Sequence, residues 1–281
     1  MVKILISKLS GSLTMQPMLN IALRAARLAS EHIQRAQEKV NVIRFEKSEV
    51  SELIEETAQQ AEEAIAATIQ KAYPAHSIQA QYNGEFKANN ANPDAVWHIS
   101  VIDNVKNFKM GLPQVAICLA GVIKGKVEHA VIINPATGQE FTASKGYGSV
   151  LDGRRIRVAD KRGLEDAYIA TDFSDTSANN HKLDSYLNIT SKIHKNRGVL
   201  LNSGSPALNF ADVAAGKIDG SYSENLQQAT VLAASLLIQE AGGLVGDLTG
   251  GANFKKTSSL IGGNAKVFKS LVQTVASSLQ A

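Results

Sequence analysis

Apolar residues recur every three to four positions over two long stretches near the start of the chain. In residues 16–39, Ala22, Ala25, Ala29 and Ile33 fall on one stripe, with Arg24, Arg27, Glu31 and Arg35 largely elsewhere. That spacing predicts an amphipathic helix. Residues 48–71 repeat the pattern with Ile54, Ala58, Ala61, Ile65 and Ile69. The other side of this second helix reads as an exposed acidic face of Glu49, Glu52, Glu55, Glu56, Glu62 and Glu63, in the plainer reading a solvated surface and in the sharper one a docking surface or a vestige of a metal-loving region. Pro74 closes it, and residues 83–94 read as a polar loop.

The period then changes. VWHISVID, QVAICLAGVI, KVEHAVIIN and QEFTASKG are apolar or alternating runs, separated by turn signals such as Lys124-Gly125 and NPATG. They predict an antiparallel meander, and GYGSVLDGRRIRV adds a hairpin. After residue 165, strands and helices alternate. The strands are AYIAT, VLLN, DGSYS, LVGD and SSLIGG. The helices are 178–195, SPALNFADVAAG stopped by Gly216, QATVLAASLLIQEAG, and 264–279. Alternation of this kind predicts layered α/β packing. No linker divides the halves, so residues 15–281 read as one unit with lobes of about 15–160 and 161–281. Residues 1–14 read as a loose extension, with Met15 a second candidate start.

Composition narrows the picture. Of 281 residues, 44% are hydrophobic and 20% charged, which excludes a disordered chain. No run of 18 apolar residues exists, so no membrane association is expected. A net charge of +3 is too small for a protein that coats nucleic acid, and no direct sequence-specific nucleic-acid binding is expected. The single cysteine, Cys118, lies in an apolar run. It reads as a buried, inert thiol, and the cysteine count suits a reducing, cytoplasmic compartment. There is no P-loop, GxGxxG, HExxH or GxSxG. His32, His76, His98, His129, His181 and His194 are scattered without metal-ligand spacing, so packing or surface roles are expected. GSPALNFADVAAGKIDG opens a helix at Ser205; that N-terminus is weak evidence for an anion site, because Ser followed by Pro is simply a good helix start.

Several segments carry a resemblance. MQPMLNIALRAARLA, W-x-I-x-x-I-D-x-x-x-N-F at 97–108, GSPALNFADVAAGKIDG at 204–220 and LLIQEAGGLVGDLTGG at 236–251 are similar to the inositol monophosphatase family, and within it to the bacterial SuhB type. The likeness runs from Met15 to Ala281. It implies an α/β fold, the αβαβα sandwich of that family. It also implies Mg²⁺-dependent hydrolysis of sugar phosphates. There, carboxylates hold two or three ions that bind the phosphate, stabilise the leaving oxygen and activate a water.

This chain departs from the family at the positions that matter most. The family's E-E pair corresponds to Gln81 and Tyr82. Its D-P-x-D-G-T-x-N-F corresponds to SVIDNVKNF at 100–108, with Ser100 for the first aspartate, Asn104 for the glycine, Val105 for the water-orienting threonine and Lys106 for the next. Asp103 survives beside Ile102, whose carbonyl would be a ligand. Thr230 replaces the aspartate of the W-D motif, Ala58 one on the second helix, and Ser223 the inositol-contacting glutamate. The metal positions Gln81, Ser100, Ile102, Asp103 and Thr230 therefore read as vestigial, as do the substrate positions Asn104, Val105, Lys106 and Ser223. One aspartate does not neutralise two or three divalent ions, and Lys106 next to it is expected to lower the Asp103 pKa. No competent catalytic residue and no bound cofactor are expected.

SuhB-type members also act without catalysis, joining Nus factors and RNA polymerase in antitermination during ribosomal RNA synthesis and contacting NusA. The resemblance implies such a protein-binding role, and a homodimer. The acidic second helix and the basic stretch Arg154, Arg155, Arg157, Lys161 and Arg162 are candidate contact surfaces. Leu201 and Asn202 stand where SuhB-type chains carry an Arg-Arg pair important for dimer and polymerase contacts. The competing readings are an Mg-dependent inositol-1-monophosphatase with residual activity, and a regulatory partner of an active paralogue.

Overall fold

The two helical stripes bury as their spacing demands. In the computed structural model, which describes residues 16–43, 47–88, 95–172 and 180–279, they form α1 (Pro17–Ile43) and α2 (Lys47–Ala72). Ala22, Ala25, Ala29 and Ile33 of α1, and Ile54, Ala58, Ala61, Ile65 and Ile69 of α2, are all buried. Residues 1–14 and the 178–179 end of one expected helix lie outside the described residues.

The meander forms as expected, with two short additions. The first sheet contains β1 (Ser77–Gln79), β2 (Glu85–Phe86), β3 (Ala95–Ser100), β4 (Ile117–Ile123), β5 (Lys126–Asn134), β6 (Gln139–Ser144), β7 (Gly148–Leu151) and β8 (Arg154–Ile156). Their order among the described residues is β2-β1-β3-β4-β5-β6-β7-β8. Every neighbouring pair from β3 to β8 is antiparallel, whereas β1 runs parallel to β3. The β2 strand falls inside the segment read as a polar loop; at two residues it is too short to leave an alternating signal. A helix of one turn, α3 (Val105–Lys109), follows β3.

The second half builds a second sheet from β9 (Tyr168–Thr171), β10 (Val199–Asn202), β11 (Gly220–Ser223), β12 (Leu244–Gly246) and β13 (Leu260–Gly263), ordered β10-β9-β11-β13-β12. The helices here are α4 (Asn180–Lys195), α5 (Pro206–Ala214), α6 (Gln228–Glu240), the short α7 (Phe254–Thr257) and α8 (Ala265–Leu279). Gly216 ends α5 with φ +67, and a Cβ there would sit 2.7 Å from the Arg157 carbonyl oxygen.

Three cores give the layers. The first joins α1 and α2 to one face of the large sheet, through Ile99, Ile117, Leu119, Val131 and Ile133. The second joins the opposite face, through Cys118, Ala120, Ala130 and Ile132, to α5 and α6 and onward to Leu260 of the small sheet. The third packs α4 and α8 on the far side of the small sheet. The architecture is thus the expected αβαβα sandwich. Strands β4 and β5 are apolar on both faces because helices cover both. Trp97 of β3 lies flat over its cross-strand partner Gly121, where a Cβ would stand 2.9 Å from the ring. The Trp97 indole N–H donates to buried His76 Nδ1 at 3.2 Å, and His129 stacks on the same ring, so these two histidines pack as expected.

Glu62 corrects the reading of the acidic face. It is fully buried, not exposed. Its carboxylate accepts from the backbone N–H groups of Gln81 (2.8 Å), Tyr82 (3.0 Å) and Asn83 (2.8 Å), and from the Asn83 side-chain amide (3.1 Å). The turn after β1 is folded around this one carboxylate, an arrangement set by tertiary contact that helix periodicity does not reveal. Glu62→Ala orphans these donors and is expected to cost about 3–5 kcal/mol. Glu62→Gln, which keeps one acceptor, is expected to cost less. Urea denaturation of the two variants checks the ranking.

Candidate functional site

Several of the residues at the positions implied by the resemblance meet where β3, β4, α5 and α6 converge. Ser100 ends β3 and pairs across the sheet with Cys118 of β4. Thr230, in the first turn of α6, donates to Cys118 Sγ at 3.8 Å. Ser100 makes a long 3.5 Å contact to the Gln81 amide oxygen, so the Glu62-held turn reaches the same place. Ser100, Ile102 and Thr230 are buried, while Gln81 is exposed. Burial raises the Cys118 thiol far above its ordinary range, in keeping with an inert side chain.

Asp103 is the centre of this cluster. Its Oδ1 accepts from the Ala116 N–H at 2.7 Å, and its Oδ2 accepts from the Ser205 hydroxyl and from the Ala207 N–H at 3.3 Å. Ser205 is the N-cap of α5 and itself accepts from the Leu208 N–H. The anion site at this helix start is therefore occupied by the protein's own carboxyl group. Burial pushes the Asp103 carboxyl up to about 7; the three hydrogen bonds oppose that push, and Asp172 adds to it. The direction is opposite to the lowering expected from Lys106, because desolvation outweighs the neighbouring groups. Lys106 itself is exposed on α3.

Asn104 closes a second helix start. Its side chain accepts from the Asn107 N–H at 2.8 Å, capping α3, and donates to the Gly204 carbonyl. Asn107 adds bonds to Gln114 O (2.8 Å) and Ser203 O (3.0 Å). Val105, in the first turn of α3, is half-buried. From the second sheet come Ser223, at the end of β11, and Asp172, just past β9. Burial pushes the Asp172 carboxyl up to about 6, with Ser223 opposing and Glu224 adding to the shift. Sequence reasoning missed Asp172. Its signal is position alone, directly after a strand at the carboxyl end of a sheet, where α/β folds build sites.

Residues 14–280 match the model of the inositol monophosphatase family. The chain belongs to that family. It is 39% identical over 261 residues to the Nus factor SuhB of Pseudomonas aeruginosa, covering 93% of this chain and 96% of the relative. It is 35% identical over 258 residues to the Nus factor SuhB of Escherichia coli K12, covering 92% and 95%. Among solved structures, the extragenic suppressor protein suhB of Bartonella henselae superposes with a TM-score of 0.80 at 27% identity, covering 93% of this chain and all of that one.

The donor set here does not fit the family's Mg²⁺ ions. Mg²⁺ requires hard, largely anionic oxygen ligands in octahedral geometry. Ser100 and Thr230 are neutral, and both Asp103 oxygens already accept protein hydrogen bonds. Among the described residues, no three His, Cys, Asp or Glu side chains come together as a cage.

Both deep carboxyls titrate above the ordinary carboxylate value of 3.8. The folded state therefore binds protons that the unfolded state has released. Their stabilisation is fully present below about pH 4 and is lost as pH rises through about 6 and 7. Stability is expected to fall by roughly 1–3 kcal/mol per carboxyl between pH 5 and pH 8. Asp172→Asn is expected to flatten that fall. Denaturant melts of both proteins at the two pH values test it.

Proposed function

We infer that this member of the family works as a non-hydrolytic, SuhB-type binding protein of the cytoplasm, a component of Nus-factor and RNA polymerase complexes in ribosomal RNA antitermination. The observation that carries this reading is the state of Asp103. The one carboxylate left among the family's ligand positions is spent on Ala116, Ser205 and Ala207. The two helix starts that suit a phosphate are capped from inside by Asp103 and Asn104. Losing the water-orienting threonine to Val105 and the metal ligands to Gln81, Ser100 and Thr230 removes both charge neutralisation and nucleophile activation. The scaffold around them keeps native-like packing, which supports a role for the surface. Similarity to proteins named Nus factor SuhB supplies the partner class, with NusA and RNA polymerase as the partners to test. The described helices include none long and apolar enough to cross a membrane.

The catalytic half of this reading is checked with purified protein, inositol 1-phosphate and Mg²⁺. No turnover above background is expected. A rate near 1 s⁻¹, within the ordinary enzyme range of roughly 1–10³ s⁻¹, would establish the residual-phosphatase reading instead. The binding half is checked by titrating NusA into the same preparation, where a saturable complex is expected.

A homodimer is part of the proposal. The β10 strand is an edge of the small sheet, with Val199 and Asn202 exposed and Leu201 half-buried. Apolar area there offers burial worth about 25 cal/mol per Å², with no arginines to screen. Sedimentation over a dilution series is expected to show a dimer insensitive to salt; a species that remains monomeric at high micromolar concentration rejects it.

A further inference from the structure

The outer helical layer holds a polar site on the opposite face of the small sheet from Asp103. Helices α4 and α8 bury Ile189 and Ile193, and Val267, Leu271 and Val275, toward that sheet. Above this apolar seam lies a shallow pocket of about 340 Å³, lined by Lys192, Asn196, Ser270, Gln273, Thr274 and Ser277 among others. On α8, Ser270, Gln273, Thr274 and Ser277 follow the i, i+3, i+4, i+7 spacing of one helix face. They form the polar side of an amphipathic helix whose apolar stripe is Val267, Leu271 and Val275.

The charge of the lining, more than its hydrogen-bond inventory, decides which ligand suits the pocket. Thr274 donates its hydroxyl hydrogen to Ser270 O, and Ser277 donates its own to Thr274 O. The Lys192 ammonium spends two of its three hydrogens on Ser277 Oγ (2.8 Å) and Ser278 Oγ (2.9 Å). Asn196 spends one amide hydrogen on Lys192 O. The third Lys192 hydrogen, the second Asn196 amide hydrogen, the Gln273 amide and the Ser270 hydroxyl remain as donors, beside the neutral amide oxygens of Asn196 and Gln273, so Lys192 is the lining's one formal charge. No carboxylate lines the pocket. The last turn of α4 adds His194 and Lys195 to Lys192. Of these only Lys192 lines the pocket, and its full charge outweighs the helix's negative end, which amounts to about half a charge. A lysine held in place by hydroxyls is a point-charge phosphate binder, and the volume matches the lower end of small-molecule sites, roughly 300–1,000 Å³.

We propose that the α4–α8 pocket binds the phosphate group of a small phosphate ester, with Lys192 and Gln273 as its principal donors. This makes the protein a phosphate-ester binder at a site separate from the family's catalytic position. The site does not depend on the antitermination reading.

Isothermal titration of inorganic phosphate into the full chain, at ionic strength held constant with chloride, tests it. One equivalent is expected to bind with a dissociation constant of about 1 mM or below. Gln273→Glu, a change at an exposed position that leaves helix packing alone, puts a carboxylate in the pocket and is expected to weaken binding at least tenfold. Lys192→Met is expected to do the same. Lys106→Met, on the helix beside the vestigial site, is expected to leave binding unchanged. Absence of saturable binding, binding that survives both pocket variants, loss in Lys106→Met, or equal binding of acetate would each overturn the assignment.

Discussion

The constraint on which the architecture turns is the complete burial of its middle layer. Helices α5 and α6 lie between two sheets, and every residue of α6 from Ala229 to Ile238 is buried. An ionised group in such a layer must be neutralised or fully hydrogen-bonded, since the desolvation cost otherwise exceeds what folding leaves over. The family resemblance implies carboxylates at these positions, balanced by cations. This chain removes the charge at one position, with Thr230 against Cys118. At the other it retains Asp103 and gives it three donors, at a pKa where protonation is readily available. The same physical demand has two solutions, and the residues present satisfy it without an ion.

The donors that hold Asp103 come from different parts of the chain. Ala116 precedes β4 of the large sheet, and Ser205 and Ala207 begin α5 of the middle layer. Asn104 and Asn107 repeat the link through Gly204 and Ser203. The segment from Asp103 to Asn107 therefore joins the large sheet to the middle layer. Such a junction is a structural use of groups whose geometry the fold supplies.

Much of this was legible in the sequence because the signals were periodic. The α1 and α2 stripes, the antiparallel meander and the later alternation follow from burial on one face or two, and apolar spacing records burial directly. Non-periodic features were hidden. Glu62 sits among other glutamates on α2, and only the turn it meets distinguishes it from them. The Asp103 shift depends on how deeply the carboxyl is set, which outweighs the adjacent Lys106 that sequence proximity emphasised. Asp172 carries no motif, and its influence on Asp103 arises only when β9 and α5 are brought together. Short elements such as β1, β2 and α3 are fixed by their neighbours rather than by their own residues.

The small sheet shows where the fold tolerates imperfection. Among the described residues, the hydroxyls of Ser221, Tyr222 and Ser223, three successive residues of β11, are buried without a hydrogen bond of ordinary geometry, although Thr171 stands close enough to Tyr222 to oppose the upward push of burial on it. Each such group costs about 1–3 kcal/mol relative to a satisfied one. Ser223 nonetheless stands close enough to Asp172 to oppose its upward shift. In the large sheet, by contrast, Ser149 donates to Leu237 O and Ser144 pairs with His129. Among the described residues the unsatisfied groups lie together in β11, with Ser221 and Ser223 on one face and Tyr222 on the other, packed with α4 and α8. Period-two alternation thus divides the cost of this strand between two different cores rather than directing it into one site.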